Sequence, residues 1–131
     1  AAQLPTLLAP TLVHRDYYYS QLLFEGDHLS LIDFDLTTIG DPAIDVANFV
    51  AHLSFLGLDR LENLHALAPQ AERFLEAYAF IHGVDVAFLE RFAFYRAATL
   101  FRLLHVIAPR PALAHHFYTL YNYAACHLEY A

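Results

Sequence analysis

Hydrophobic and polar positions change their period once along the chain, near residue 40. Before that point the apolar residues come in short runs. Pro10-Thr11-Leu12-Val13 is brief and β-favouring. Gln21-Leu22-Leu23-Phe24 and Leu29-Ser30-Leu31-Ile32 flank Glu25-Gly26-Asp27-His28, which predicts a hairpin closed by a tight Gly/Asp turn. From Asp41 the pattern is helical. Asp41-Pro42 places a capping carboxylate before a proline at the first helical position. The helix it starts is expected to reach about Phe55, with Gly57 near its end. A second helix is expected over 60–67, and a third from Pro69 to about His82-Gly83. Asp85 would cap a fourth, ending near Ala108 before Pro109 and Pro111, and a fifth would run from about Ala112 to Tyr130. The fourth is apolar nearly all round and reads as a buried central helix. The fold class is therefore α+β, a short β-hairpin followed by a mainly α-helical part. One domain spans 1–131, with the loops and hairpin in 9–35 and a helical subdomain in 41–131.

Composition adds a constraint. Of 131 residues, 58% are hydrophobic and 16% charged, which is more apolar surface than a domain this small hides easily. The chain is expected to pack against something or to belong to a larger protein. A membrane span is rejected, because Glu90, Arg91, Arg96 and Arg102 interrupt the richest stretch, 86–107. The first residues carry no secretory signal pattern. A single cysteine, Cys126, forms no internal disulfide, so a reducing, cytoplasmic setting is the default. Net charge is −7 and all seven basic residues are Arg, which argues against general nucleic-acid binding.

The candidate chemistry sits at one end of the hairpin. His14-Arg15-Asp16 precedes its first strand and Ile32-Asp33-Phe34-Asp35 follows its second, so the two loops share an end and Asp16 and Asp33 come close. Paired carboxylates on a rigid hairpin suit phosphoryl transfer. One accepts the proton of an attacking hydroxyl, and the other holds the Mg²⁺ that bridges the phosphates.

His14-x-Asp16-x₄-Gln21, then Ile32-Asp33-Phe34-Asp35, then Gly40-Asp41-Pro42-x-x-Asp45-x-Ala47 resembles the signature of the aminoglycoside/choline phosphotransferase family, whose fold is protein-kinase-like. The resemblance covers about residues 9–56. It implies a kinase-like catalytic C-lobe that transfers the ATP γ-phosphate to a hydroxyl of a small molecule, with Mg²⁺ and ATP as cofactors. By this resemblance Asp16 is the catalytic aspartate and Asp33 the main Mg²⁺ ligand. His14 braces the catalytic loop, Asp45 bonds back to it, and Asp41 caps the first helix. Gln21 stands where the family has a metal-holding Asn, one methylene longer. Arg15 replaces the family's usual Gly, giving His-Arg-Asp as in protein kinases. The family's N-terminal ATP-binding lobe, with its phosphate-pairing Lys, has no counterpart before His14, and that lobe or a homo-oligomeric partner is expected to complete the site.

Several residues keep two readings. Asp35 is either a second metal contact or a loop hydrogen-bonder. Asp41, Asp45, Asn48 and His52 line one helical face, either solvated or turned to the catalytic loop, with His52 read as polar surface. Tyr17, Tyr18 and Tyr19 either pack the loop or stack on a substrate. His115-His116 lack helical metal-ligand spacing and read as surface or satisfied core residues. Glu62, Glu72, Glu76 and Glu90 either favour a cationic acceptor or are solvated. The rival function is a truncated, non-catalytic module that assembles through its exposed apolar face. A metal-dependent hydrolase using the same Asp pair is a weaker third.

Overall fold

The computed structural model describes residues 11–129, so Pro10 and Tyr130, the outer limits of the expected first strand and last helix, lie outside it. The order is β1 (Thr11–Val13), a 3-10 turn (Tyr19–Gln21), β2 (Leu22–Glu25), β3 (His28–Leu31), β4 (Thr38–Gly40), α1 (Ala43–Leu61), α2 (Ala68–His82), α3 (Val86–Ile107), a 3-10 turn (Pro111–His116) and α4 (Phe117–Glu129). This is an α+β fold.

β2 and β3 form the expected hairpin in the register Glu25↔His28, leaving Gly26-Asp27 as a two-residue loop. Gly26 has φ +59°, the left-handed value a tight hairpin turn asks of glycine at its first central position. β4 was not anticipated. It pairs antiparallel with β1, setting Thr11 opposite Gly40 and Val13 opposite Thr38. A side chain at Gly40 would come within 3.0 Å of Val13 Cγ2, so the small residue permits this closure. The β1–β4 ladder closes behind both candidate loops, and the β2–β3 ladder joins them in front.

The helices differ from expectation in three ways. α1 runs through Gly57 to Leu61. Gly57 does not end it. The glycine makes room for the returning chain, whose Asn63 carbonyl would lie 2.6 Å from a Cβ there. The helix stops at Glu62, in the left-handed region at φ +53°, and the expected helix over 60–67 is instead the end of α1 and a turn. In that turn the Asn63 side chain accepts from the His65 N–H and competes with helical bonding. The last helix starts at Phe117, because Pro111–His116 forms tighter 3-10 structure. α3 buries one stripe, Phe88, Arg91, Ala97, Leu100, Leu103, Leu104 and Ile107, while Leu89 and Phe94 are exposed. It is central, between α1 and α4, but not apolar-buried on all sides.

The main core joins Ala51 and Leu58 of α1 to Leu100, Leu103, Leu104 and Ile107 of α3 and to Leu120 and Ala124 of α4. A smaller cluster sets Ala43 and Val46 against Phe88, with Phe74, Leu75 and Tyr78 of α2 packed on it. Asp85 caps α3 by accepting from the Phe88 N–H at 2.7 Å. Among the described residues no helix is long and apolar enough to cross a membrane.

Candidate active site

The loop between β1 and β2 carries His14, Arg15 and Asp16, and three side chains hold it in place. Asp45, in the first turn of α1, accepts from the backbone N–H of His14 at 2.7 Å and of Arg15 at 2.8 Å. Asn48, one turn on, donates to the Tyr17 carbonyl at 2.9 Å. His14 spans the two loops: Nε2 donates to the Ile32 carbonyl at 2.8 Å and Nδ1 accepts from the Asp16 N–H at 3.3 Å. With Nδ1 accepting, Nε2 is the nitrogen that donates across to the second loop. Arg15 has φ +70°, a left-handed backbone that glycine adopts without strain. A sharp reversal is thus imposed on a residue with a side chain, directly before Asp16.

Gln21 connects the two carboxylates. Buried beneath the loop, it directs Nε2 to Asp16 Oδ2 at 3.2 Å and to Asp33 Oδ2 at 3.3 Å. One amide group therefore spans the pair, and the loops converge at the end of the hairpin. The Ile32 N–H to Gln21 carbonyl bond, 3.0 Å, carries the β2–β3 ladder up to the site. Asp33 is itself left-handed, φ +64°, which turns the chain sharply as it leaves β3. Asp35 is exposed, and no hydrogen bond or ion pair of its side chain occurs among the described residues.

The polar stripe on α1 faces inward. Asp41, Asn48 and His52 are all buried, and His52 is not the surface residue expected. The reason lies on α3. Arg91 donates to Asp41 Oδ2 at 2.7 Å, an ion pair with both side chains almost wholly out of solvent. Asp41 also accepts from the Ala43 N–H, so one carboxylate caps α1 and anchors α3. Three turns further along α3, Arg102 donates to Asn48 Oδ1 at 2.9 Å, lies 3.5 Å from His52 Nε2, and stands 3.6 Å from Asp16 Oδ1. Burial, then the Arg102 charge, lowers the His52 pKa to about 4, with Asp16 opposing the shift, so the ring is neutral at neutral pH.

Sequence reasoning missed Arg91 and Arg102 as parts of this assembly. The signal was present. An arginine inside an otherwise apolar helix needs a partner, and the acidic and amide stripe of α1 offers one. Tyr17 packs on Phe49 and Phe74, and Tyr18 stacks on His52 with ring centroids 4.3 Å apart, so both brace the loop against α1 and α2. Behind the loop lies an open, largely apolar groove of about 880 Å³ whose walls include Leu12, His14, Phe34, Asp45, Phe74 and Phe88, but neither Asp16 nor Asp33.

The donor set is one of hard oxygens. Asp33 and Asp16 supply carboxylates, and a half-turn of the Gln21 amide would present Oε1 in place of Nε2. Such a set fits Mg²⁺. A family model described as "Phosphotransferase enzyme family" matches residues 1–80. No curated protein and no solved structure matches the chain.

Proposed function

Since the chain belongs to the phosphotransferase enzyme family, we propose that it is the catalytic lobe of an enzyme that transfers the γ-phosphoryl group of ATP to a hydroxyl of a small molecule. The observation that carries this reading is the shared Gln21 amide, which keeps two carboxylates from separate loops within reach of one centre. Asp16 accepts the proton of the acceptor hydroxyl. A quarter of its side chain is exposed, which leaves an approach for that hydroxyl, and Arg102 and Gln21 fix the direction of its two oxygens. Asp33 would hold Mg²⁺; on metal binding the Gln21 amide would exchange its two Nε2 hydrogen bonds for an Oε1 contact to the ion. When bound, the ion draws the phosphates into position and offsets their charge. Asp45, Asn48 and His14 hold the loop that carries Asp16. Positioning of this kind supplies much of the catalysis in phosphoryl transfer, where little covalent chemistry falls to the protein.

The β2–β3 hairpin presents Leu23, Phe24 and Leu29 to solvent, with Ile32 and Phe34 beside them. We assign this exposed apolar hairpin to contact with an ATP-binding lobe, which supplies the phosphate-pairing cation that a Lys-free chain does not provide. The same hairpin supports the rival reading, a non-catalytic module that dimerises there. Solution mass and Mg·ATP binding by the 131-residue chain separate the two.

The test is the metal dependence of phosphotransfer in the full-length protein. Asp33→Asn is expected to raise the Mg²⁺ concentration needed for half-maximal rate at least tenfold. An unchanged Mg²⁺ dependence would remove Asp33 from the metal site.

A further inference from the structure

Glu62 is distant in sequence from the adjacent pair His115-His116, and the three meet at the far end of α1. Glu62 Oε1 is 3.5 Å from His115 Nε2 and 3.8 Å from His116 Nε2. The three atoms all lie within 4.8 Å of one another. We propose that they form a binding site for one divalent transition-metal ion of the zinc class, separate from the Asp16–Asp33 centre.

The spacing suits a shared cation better than a hydrogen bond. The two contacts are at or beyond the hydrogen-bond limit. Ligands about 2.0–2.1 Å from a tetrahedral zinc ion lie roughly 3.3 Å from each other, so the two carboxylate–imidazole separations need to contract by only a few tenths of an ångström, and the two imidazole nitrogens lie within 4.8 Å of one another. The backbone prepares the convergence on both sides. α1 ends at Glu62 in the left-handed region, where the chain turns and the carboxylate leaves the helix face. His115 and His116 end a 3-10 turn, and their rings sit 3.8 Å apart, centroid to centroid. His116 is 3% exposed, with Nε2 directed at Glu62, whereas His115 and Glu62 are open to solvent. The buried imidazole fixes one ligand, and the open side admits the ion and leaves a fourth position for water.

Two imidazole nitrogens and one carboxylate oxygen form a ligand set for zinc, cobalt or nickel. Magnesium and calcium take all-oxygen sets, so the ion that serves phosphoryl transfer is not selected here. A bound ion would tie the end of α1 to the turn that leads into α4, two of the three helices that share the main core. Its chemistry is that of a staple across the helical part.

The test is a Co²⁺ titration of the 131-residue chain followed by visible absorption, then displacement by Zn²⁺ and by Mg²⁺. One equivalent is expected to give the d–d bands of a tetrahedral site, displaced by Zn²⁺ and not by Mg²⁺. His115→Ala and Glu62→Gln change exposed side chains and are expected to fold, a point checked by circular dichroism. Each is expected to weaken binding on the order of 10–100-fold, at least the range that outer-shell partners carry, while Asp33→Asn leaves it unchanged. No Co²⁺ binding, or binding undiminished in both His115→Ala and Glu62→Gln, would overturn the proposal.

Discussion

Asp45→Asn probes the link between fold and site with almost no change of shape. The Asp45 carboxylate accepts two short bonds, 2.7 Å from the His14 N–H and 2.8 Å from the Arg15 N–H. Hydrogen bonds to a charged group contribute about 1.5–3 kcal/mol each. An amide keeps one acceptor oxygen and sets an NH₂ donor against the other N–H. One bond is lost and the other loses its charge, so the expected cost is about 2–4 kcal/mol. Arg15 is held at φ +70°, and the loop relaxes from that turn once its anchor weakens. For a domain of this size 1 kcal/mol moves the midpoint by about 3–5 °C, so the melting temperature is expected to fall by about 10 °C. In the full-length protein kcat is expected to fall about 100-fold, as for a loop displaced by about 1 Å. Circular dichroism melts of the chain and a phosphotransfer assay read the two effects. Asp59→Asn, which removes a partly exposed carboxylate paired with the exposed Arg60, serves as a control and should change stability by a few tenths of a kcal/mol. A melting temperature within 2 °C of the parent, together with parental kcat, would refute the view that Asp45 holds the loop.

Three further outcomes follow from the same contacts. Asp41→Asn keeps the helix cap but leaves Arg91 buried without its counter-charge, at a cost of about 3–5 kcal/mol in urea unfolding; adding Arg91→Met should recover more than half, and equal losses in both would reject the pairing argument. His52 is held neutral with a folded pKa of about 4, below its unfolded value near 6.5. The unfolded chain therefore binds the extra proton first, and stability present above pH 6.5 is lost as pH falls toward 4. The loss is on the order of 3 kcal/mol at that ring, with a smaller contribution in the same direction from the more solvent-open His127. His52→Gln should flatten the profile between pH 4 and 6.5, and an unaltered slope would show the shift to be absent. Arg15→Gly removes a left-handed strain of about 1–2 kcal/mol and returns about 0.4–1 kcal/mol of unfolded-state entropy, so a small net gain is expected in the urea midpoint; a clear loss would mean that the Arg15 side chain holds the loop.

The convergence of the two loops was legible because it depends on topology alone. A hairpin whose ends carry Asp16 and Asp33 must bring those ends together, and Gly26-Asp27 marks its turn. The start of α1 was equally plain from Asp41-Pro42, and α3 from Asp85. What stayed hidden required knowledge of a distant partner. β4 is three residues long and has no alternation to reveal it before β1 is in place. Gly57 carries the usual mark of a helix end, yet it admits the returning chain, a role set by Asn63 after the turn is made. The burial of the α1 stripe at Asn48 and His52 stayed hidden, since Arg102, which meets both, lies on α3. His115-His116 failed a test built on helical spacing because their third neighbour, Glu62, is contributed by another element. The roles proposed for Asp16, Asp33 and Gln21 rest on the family motif and on the chemistry of the pair, and kinetic evidence tests them.

That evidence is most direct in single-turnover transfer of the γ-phosphoryl group by the full-length protein carrying Asp16→Asn. The substitution preserves the shape of the Asp16 side chain and its contact with Gln21 while removing the proton acceptor. The transfer rate is expected to fall about 10²–10⁴-fold with ATP affinity retained; transfer at the parental rate would remove Asp16 from the proton-accepting role.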